Sequence, residues 1–372
     1  MEDSTWQYRR RLAVVARAGL CASDLALIAG LAPALAAVDE AGASRLTSLG
    51  LTTRAAGALA SPDAAAIDAD LRWLDRNEAH LLAATDPAYP ALLRESPDAP
   101  AVLYLLGDLQ ALAGPQIAMV GSRNPTAGGR DTARRFAAWF SQAGLGITSG
   151  LALGIDAACH EGALQAGGPT IAVLGCGLDT CYPRENRRLF ERIRERGALV
   201  SEFPPGTEPR AALFPQRNRI IAGLGSGTVV VEAASRSGSL ITARLAGVAG
   251  RDVFAIPGSI HNEMARGCHE LIRQGAKLVE RPEDVLSELK ISLSAQLLAS
   301  APPVPSSGRP LDKEYKILLD ALAFEPVSVD TLIERTGLNS ESIASMLLVL
   351  ELDGHVAPHP GGRYSRIAEQ CH

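Results

Sequence analysis

From Gln116 onwards, short aliphatic runs alternate with longer amphipathic stretches, and this alternation constrains the fold more than any other feature of the chain. It is typical of β-α-β units around a parallel sheet. The predicted strands are Ile117–Val120, Gly146–Thr148, Thr170–Leu174, Leu199–Ser201, Thr228–Val231 and Val253–Ile256. The predicted helices are Arg130–Ala143, Asp156–Ala166, Glu185–Arg196 and Leu240–Ala249. We therefore expect an α/β fold with a doubly wound, mostly parallel sheet.

The segments on either side of this region lack the alternating pattern. A chain of 372 residues is therefore expected to contain more than one domain. The first segment has short helical patterns and few basic residues, which favours a structural or protein-interaction module over a DNA-binding one. Val102–Leu106 is a further candidate strand before the β-α units. The predicted divisions are a helical domain at 1–80, the sheet domain at 81–290, a Pro/Ser-rich linker at 291–310 and a C-terminal domain at 311–372.

The C-terminal segment shows the outline of a winged helix. A two-stranded wing is predicted over Gly354–Arg366, and Gly337 lies in the turn before the third helix. The three predicted helices are Lys313–Leu322, Val329–Arg335 and Ser340–Leu352. The third carries Glu341 and Glu351 but no Lys or Arg, so phosphates would repel it. A protein-contact or vestigial role is therefore favoured over reading of the DNA major groove.

Glycine and hydroxyl residues follow most of the predicted strands. In a parallel sheet such loops gather at the carboxyl edge, where open α/β folds bind ligands. Glycine lets backbone N–H groups approach an anion, and the following helices direct their positive dipole ends at it. The loops are Gly121-Ser122-Arg123, Ser149–Gly154, Gly175-Cys176-Gly177, Ser235–Ser239 and Pro257-Gly258-Ser259. Because five such loops coincide, we expect an anion-binding crevice.

Several common ligands are not expected. The first turn lacks the G-x-G-x-x-G dinucleotide fingerprint, and no Walker A sequence occurs. Six scattered cysteines without a C-x-x-C pair predict reduced thiols and a cytoplasmic location. The uncharged stretch Leu25–Val38 is too short to span a bilayer. No metal, cofactor or membrane contact is therefore predicted.

No pair of residues specifies a catalytic reaction. Asp156 and His160 are four residues apart on a predicted helix and could form a hydrogen bond. A helix-start carboxylate that orients a structural histidine is the favoured interpretation. We therefore predict no catalytic residue and a protein that is not an enzyme.

Basic residues stand where the crevice is expected to open. Arg217 and Arg219 flank Asn218 ahead of an apolar helix, and Arg184 precedes another. Such positions can line the mouth of a crevice. The arginines that follow Arg184 are interpreted as solvated, because Glu185, Glu191 and Glu195 interleave with them as helix pairs; they are Arg187, Arg188, Arg192, Arg194 and Arg196.

The net charge of −5 conceals a basic middle region. Residues 114–290 hold 21 Lys and Arg against 17 Asp and Glu, whereas the rest of the chain holds 15 against 24. Of the 36 basic residues, 32 are arginine, which suits bidentate phosphate contact. A polyanionic partner is therefore compatible with the acidic average, although a GC-rich genome would produce the same arginine bias.

Six motifs in this region, in order, resemble the DNA-processing protein A family (DprA, also called Smf). The resemblance runs from about Ala84 to Val279. The motifs are Gly121-Ser122-Arg123; Ser149–His160; Tyr182-Pro183-x-x-Asn186; Arg217-Asn218-Arg219-Ile220-Ile221-Ala222-Gly223; Ser237-Gly238-Ser239-Leu240-Ile241-Thr242; and Val253-Phe254-Ala255-Ile256-Pro257-Gly258.

The resemblance implies an extended Rossmann-like domain that binds single-stranded DNA, forms a homodimer and delivers the DNA to a RecA-type recombinase during natural transformation. It also implies a helical domain of sterile-alpha-motif type and an optional winged helix. Where the family often has Lys beside its Tyr-Pro motif, this chain has Arg184, which keeps the charge. The residues implied to line the DNA groove are Gly121, Ser122, Arg123, Ser149, Gly150, Arg184, Arg217, Asn218, Arg219, Ser237, Gly238 and Ser239.

Two other function classes remain open. Gly225–Glu232 partly matches the P-G-G-x-G-T-x-x-E motif of nucleotide phosphoribohydrolases of the lysine-decarboxylase-like group. Glu232 comes one residue too late for that motif, and the leading Pro-Gly-Gly is missing. A sequence-specific regulator acting through the C-terminal domain is the other class, which the acidic third helix disfavours.

Overall fold

The structure is a computed structural model that describes residues 2–29, 42–289, 313–322 and 326–367. The predicted linker at 291–310 lies outside these described residues. No helix in the described ranges is long and apolar enough to cross a membrane. The first segment folds into α1 (Glu2–Ala18), α2 (Ala22–Ala29), α3 (Ala43–Ser48), α4 (Thr53–Ala60) and α5 (Ala64–Asn77).

Nine strands of the described chain form one mixed sheet, in the order β1-β2-β6-β5-β4-β3-β7-β8-β9. The strands are β1 (His80–Ala83), β2 (Val102–Gly107), β3 (Gln116–Val120), β4 (Gly146–Ser149), β5 (Thr170–Val173), β6 (Ala198–Ser201), β7 (Gly227–Val230), β8 (Asp252–Ala255) and β9 (Lys277–Leu278). Strands β3 to β9 are parallel, while β2 runs antiparallel to both β1 and β6. The predicted doubly wound, mostly parallel sheet is confirmed.

Helices connect the strands and pack on the sheet. They are α6 (Ala91–Arg94), α7 (Ala127–Gln142), α8 (Ile155–Gln165), α9 (Arg187–Arg196), α10 (Leu213–Leu224), α11 (Ser239–Val248), α12 (Arg266–Arg273) and α13 (Pro282–Leu289). The central strands β3 to β7 are buried along their whole length, as strands covered on both faces must be. Each predicted strand and helix of this region lies within three residues of an observed one.

The chain reverses its winding direction at β3. Strands β4, β5 and β6 follow on one side of β3, and β7, β8 and β9 follow on the other. The loops after β3 and β7 therefore diverge and leave an opening at the carboxyl edge of the sheet. Open α/β sheets bind ligands at such a switch point.

The N-terminal helices share a hydrophobic core with the sheet. Leu12 and Val15 of α1 belong to the same buried cluster as Leu106 of β2. Arg17 donates two hydrogen bonds to the Asp70 carboxylate, at 2.7 and 2.6 Å, and the Tyr104 hydroxyl donates a third at 3.4 Å. The N-terminal helices thus pack against the sheet across the predicted domain boundary at residue 80. The boundary stays a prediction.

The C-terminal unit is a winged helix, as predicted. It contains α14 (Lys313–Leu322), β10 (Val327–Ser328), α15 (Val329–Thr336), α16 (Ser340–Leu352), β11 (Val356–His359) and β12 (Arg363–Arg366). Asn339 caps α16 by accepting a hydrogen bond from the Ser342 N–H at 2.8 Å. Gly361 and Gly362 form the wing turn with φ of 82° and 66°. The short strand β10 pairs with β12 and was not predicted.

Candidate nucleic-acid interface

A crevice of about 750 Å³ lies between the loops that follow β3 and β7. It is therefore located at the switch point of the sheet. Eight of the twelve predicted site residues line it: Gly121, Ser122, Arg123, Arg217, Asn218, Ser237, Gly238 and Ser239. Their contact with DNA stays a prediction, but the structure brings them together around one opening.

The first wall is the loop after β3, which presents Arg123. The Ser122 N–H donates to the Glu232 carbonyl oxygen at 2.7 Å, and the Ser122 hydroxyl accepts from the Asn124 N–H at 3.1 Å. The Ser122 N–H is consequently not available to an anion. The loop instead holds its backbone rigid and exposes the Arg123 side chain.

The opposite wall is the loop after β7, which presents Arg236 and two serine hydroxyls. Ser237 and Ser239 are hydrogen-bonded to each other through their hydroxyls at 2.7 Å, where α11 begins. Among the described residues, neither Arg123 nor Arg236 forms an ion pair or hydrogen bond with another protein group. Two uncompensated guanidinium groups therefore face the crevice.

Arg217 forms the floor of the crevice. It lies inside α10 rather than ahead of the helix, because α10 already begins at Leu213, and its side chain is buried. Its Nη1 donates to the carbonyl oxygens of Gly150, at 2.6 Å, and Val173, at 2.5 Å. Burial lowers the pKa of Arg217 to about 10, while the nearby Asp156 carboxylate opposes that shift. The guanidinium thus remains charged at neutral pH.

Ser149 and Gly150 support this floor and do not line the crevice. The buried Ser149 hydroxyl donates to the Met119 carbonyl oxygen at 2.6 Å. The Gly150 N–H donates to Asp156 Oδ2 at 3.2 Å, and its carbonyl accepts from Arg217. A Cβ at Gly150 would lie 2.4 Å from Arg217 Nη1, so glycine is needed for the close approach of that side chain.

Arg219 and Arg184 also lie outside the crevice lining. Arg219 forms a two-point ion pair with Glu202, at 2.6 and 3.0 Å, and its guanidinium is therefore already neutralised. Arg184 is exposed in a short 3₁₀ helix just before α9. Sequence spacing placed Arg217 and Arg219 together, but on α10 they occupy different faces of the helix.

An aromatic pair in the crevice was not anticipated. The rings of Tyr182 and Phe214 have centroids 5.5 Å apart, and Tyr182 is 43% exposed. The guanidinium carbons of Arg123 and Arg217 lie 5.8 and 5.9 Å from the centroid of the Phe214 ring. The available sequence signal was the two aromatic-proline dipeptides, Tyr182-Pro183 and Phe214-Pro215. They are far apart in the chain, the first in a loop and the second in the first turn of α10.

The predicted contact between Asp156 and His160 is absent. His160 is fully buried, and its Nδ1 is hydrogen-bonded to the Thr170 hydroxyl at 2.7 Å. Burial lowers the pKa of His160 to about 3. Asp156 instead accepts hydrogen bonds from the N–H groups of Gly150 and Ala152, and burial raises its pKa. The histidine is structural, as favoured, but the carboxylate does not orient it.

Glu232 serves as a capping group for α7. Its carboxylate accepts hydrogen bonds from the Thr126 N–H at 2.9 Å and from the Thr126 hydroxyl at 2.6 Å. Gly129, in the first turn of α7, leaves room for this carboxylate, because a Cβ there would be 2.3 Å from Glu232 Cδ. Glu232 does not line the crevice. This arrangement gives no support to the phosphoribohydrolase interpretation.

Two family models match the chain, and the predicted domain divisions stay predictions. The family model described as DNA recombination-mediator protein A matches residues 80–290. The model described as DprA winged helix domain matches residues 301–362. Together the two matches cover the nine-stranded sheet and the C-terminal unit as far as the wing turn.

Relatives extend the similarity to most of the chain. Protein Smf of Escherichia coli is 44% identical over 333 residues, which cover 88% of each chain. The X-ray structure of DNA processing protein A from Streptococcus pneumoniae aligns with a TM-score of 0.67 and 38% identity, over 76% of this chain and 99% of that one. DNA processing protein A from Helicobacter pylori, whose structure concerns its single-stranded DNA binding mode, aligns with a TM-score of 0.52 and 28% identity, over 57% of this chain and 96% of that one. The chain belongs to the DNA recombination-mediator protein A family, also known as DprA or Smf.

Proposed function

We propose that the protein binds single-stranded DNA in the crevice and acts by binding, without catalysis. One observation carries this proposal: Arg123 and Arg236 face the crevice from opposite walls without an ion-pair partner among the described residues. Among the described residues that line the crevice, Asp156 is the one acidic residue, and its side chain is buried. The single-stranded DNA binding of the Helicobacter pylori protein supports the same ligand.

Phosphates and bases are expected to contact different parts of the crevice. The exposed guanidinium of Arg123 can form charge-assisted, bidentate hydrogen bonds with a phosphate, as can that of Arg236. One hydroxyl of the Ser237–Ser239 pair donates to the other, so the second hydroxyl proton remains available as a neutral donor beside Arg236. Tyr182 offers an exposed ring on which an unpaired base can stack. Paired bases in a duplex cannot reach such a ring, so single strands should bind more tightly.

The finer biological role is also a proposal. The family description as a recombination mediator supports protection of incoming DNA and its transfer to a RecA-type recombinase during natural transformation. Exposed apolar side chains near the β9 edge of the sheet, among them Val248 and Leu278, support a homodimer. We place this activity in the cytoplasm, where a recombinase and reduced cysteines occur together.

Fluorescence anisotropy with a labelled oligothymidine tests the crevice. Arg123→Ala should weaken binding at least about tenfold, because a charge-assisted hydrogen bond contributes about 1.5–3 kcal/mol. Arg236→Ala should act in the same direction. If four to six phosphates are neutralised, log K should fall with log salt at a slope of about −3 to −4.

The matched control is Arg194→Ala. Arg194 is exposed on α9 and lies 4.0 Å from Glu191, outside the crevice lining. Its loss should leave affinity nearly unchanged. Equal losses in the Arg123 and Arg194 variants, or a salt slope near zero in the wild type, would refute binding in the crevice.

A further inference from the structure

The solvent face of α9 carries more uncompensated positive charge than the sequence indicated. Interleaved glutamates were expected to pair with its arginines. Within the described part of the chain, the ion pair on this helix is Arg194 with Glu191, at the long distance of 4.0 Å. The other arginines of this segment are exposed and form no ion pair with a described residue: Arg184, Arg187, Arg188, Arg192 and Arg196.

Four of these arginines form a stripe, which we call the α9 stripe: Arg184, Arg188, Arg192 and Arg196. Arg188, Arg192 and Arg196 recur every four residues within α9 and therefore lie on one side of the helix, about 6 Å apart along its axis. Arg184 lies in the 3₁₀ turn just before the helix. Like charges at this spacing destabilise an isolated helix. The first turn of α9 also contains no acidic residue, so its arginines oppose the helix dipole. A polyanion lying along the stripe would remove both penalties.

The α9 stripe begins at the rim of the crevice. Asn186, directly before α9, donates from Nδ2 to the carbonyl oxygens of Leu151, at 2.9 Å, and Ala152, at 3.3 Å. Ala152 and Tyr182 both line the crevice. Because α9 connects the parallel strands β5 and β6, it runs from the carboxyl edge of the sheet towards the amino edge. From Arg188 to Arg196 the stripe thus leads away from the crevice over about 12 Å.

The remaining surface of α9 favours a nucleic acid over a protein partner. The apolar residues Leu189, Phe190 and Ile193 are buried against the domain. The exposed positions of the helix are all charged. Protein interfaces need an apolar centre, which this face lacks. A phosphate backbone needs only regularly spaced cations.

We propose that a single strand leaving the crevice continues along the α9 stripe, with its phosphates contacting Arg188 and Arg192. This extension rests on the proposed binding of single-stranded DNA in the crevice. It predicts that strands too short to leave the crevice bind independently of α9. Longer strands gain affinity from the stripe, and that gain is sensitive to salt.

The test compares two oligothymidine lengths, about six and about twenty nucleotides, by fluorescence anisotropy. The variant is Arg188→Ala/Arg192→Ala in the full chain. The matched control is Arg72→Ala/Arg76→Ala, which removes two exposed arginines from α5. Each contact with a single strand adds about −0.7 to the salt slope, equivalent to about fivefold in affinity at 0.1 M salt. The α9 variant should therefore lose about 25-fold for the long strand, with a slope shallower by about 1.4.

For the short strand, the α9 variant should bind as tightly as the wild type, which also shows that the crevice is intact. Unchanged binding of the long strand would overturn the extension while leaving the crevice proposal in place. The extension would also be overturned if the α9 variant lost the same affinity for both strand lengths, or if the α5 control lost as much affinity for the long strand as the α9 variant. A wild type that binds neither strand would instead refute the proposed function, and the extension with it.

Discussion

The contact between Gly150 and Arg217 yields a prediction about how the crevice floor is held together. Gly150→Ala places a Cβ 2.4 Å from Nη1, 2.6 Å from Cζ and 2.7 Å from Nη2 of Arg217. Cβ contacts under 3.0 Å do not occur in proteins, so the guanidinium must move. Arg217 then loses its hydrogen bonds to the Gly150 and Val173 carbonyl oxygens.

The expected cost follows from these bonds. Each is a hydrogen bond to a charged donor, which contributes about 1.5–3 kcal/mol. Partial solvation of the displaced guanidinium in the open crevice offsets some of the loss. We therefore expect Gly150→Ala to lower the free energy of unfolding by about 2–4 kcal/mol, measured by urea denaturation.

A double-mutant cycle separates this mechanism from a general intolerance of alanine at position 150. In an Arg217→Ala background the added Cβ meets no guanidinium. Gly150→Ala should then lower the free energy of unfolding by less than about 0.5 kcal/mol. Arg217→Ala alone should be strongly destabilising, because it leaves the buried Asp156 without its cation. Additive costs in the double variant would refute the proposed role of the close contact.

Two further predictions address titration and domain roles. Burial lowers the pKa of His160 to about 3, against about 6.5 in the unfolded chain. Between these two pH values the unfolded state binds more protons than the folded state. The protein therefore loses stability as the pH falls below 6.5. Between pH 7 and pH 5, the free energy of unfolding measured by urea denaturation should therefore fall by about 2 kcal/mol less in His160→Gln than in the wild type. An equal fall in both proteins would contradict this assignment. Truncation after residue 298 should keep single-strand affinity within about threefold, since residues 311–372 carry five Lys and Arg against ten Asp and Glu, which phosphates repel. A loss above about tenfold in a folded truncated protein would show that the winged helix binds DNA.

The sheet was predictable because its strands are buried on both faces and therefore appear as continuous aliphatic runs. Each of the parallel strands from β3 to β8 was found in this way. The edge strands β1 and β9 were missed, since they are short and partly exposed and lack such a run. The start of α10 was also missed, because Pro215 in its first turn looks like a helix breaker in sequence although it is tolerated there.

The site was only partly predictable, because side-chain direction depends on tertiary contacts. The sequence correctly placed Gly121, Ser122 and Arg123 at the carboxyl edge of the sheet, because residues that directly follow a parallel strand lie at that edge. The partners of Arg219 were not predictable, because Glu202 lies 17 residues away in a different loop. For the same reason the sequence could not show that Ser149 and Gly150 face the protein interior.

The buried Arg217 explains why the crevice can be both rigid and open. Its guanidinium joins the carboxyl ends of β4 and β5 through Gly150 and Val173, and the guanidinium carbon lies 5.9 Å from the centroid of the Phe214 ring. Both bonds are internal to the protein. Arg123, by contrast, forms no ion pair or hydrogen bond with a described residue, and its guanidinium lies against the Phe214 ring while its side chain stays exposed. If single strands bind in the crevice as proposed, that binding breaks no ion pair of Arg123 with a described residue, which favours rapid capture of strands that differ in sequence.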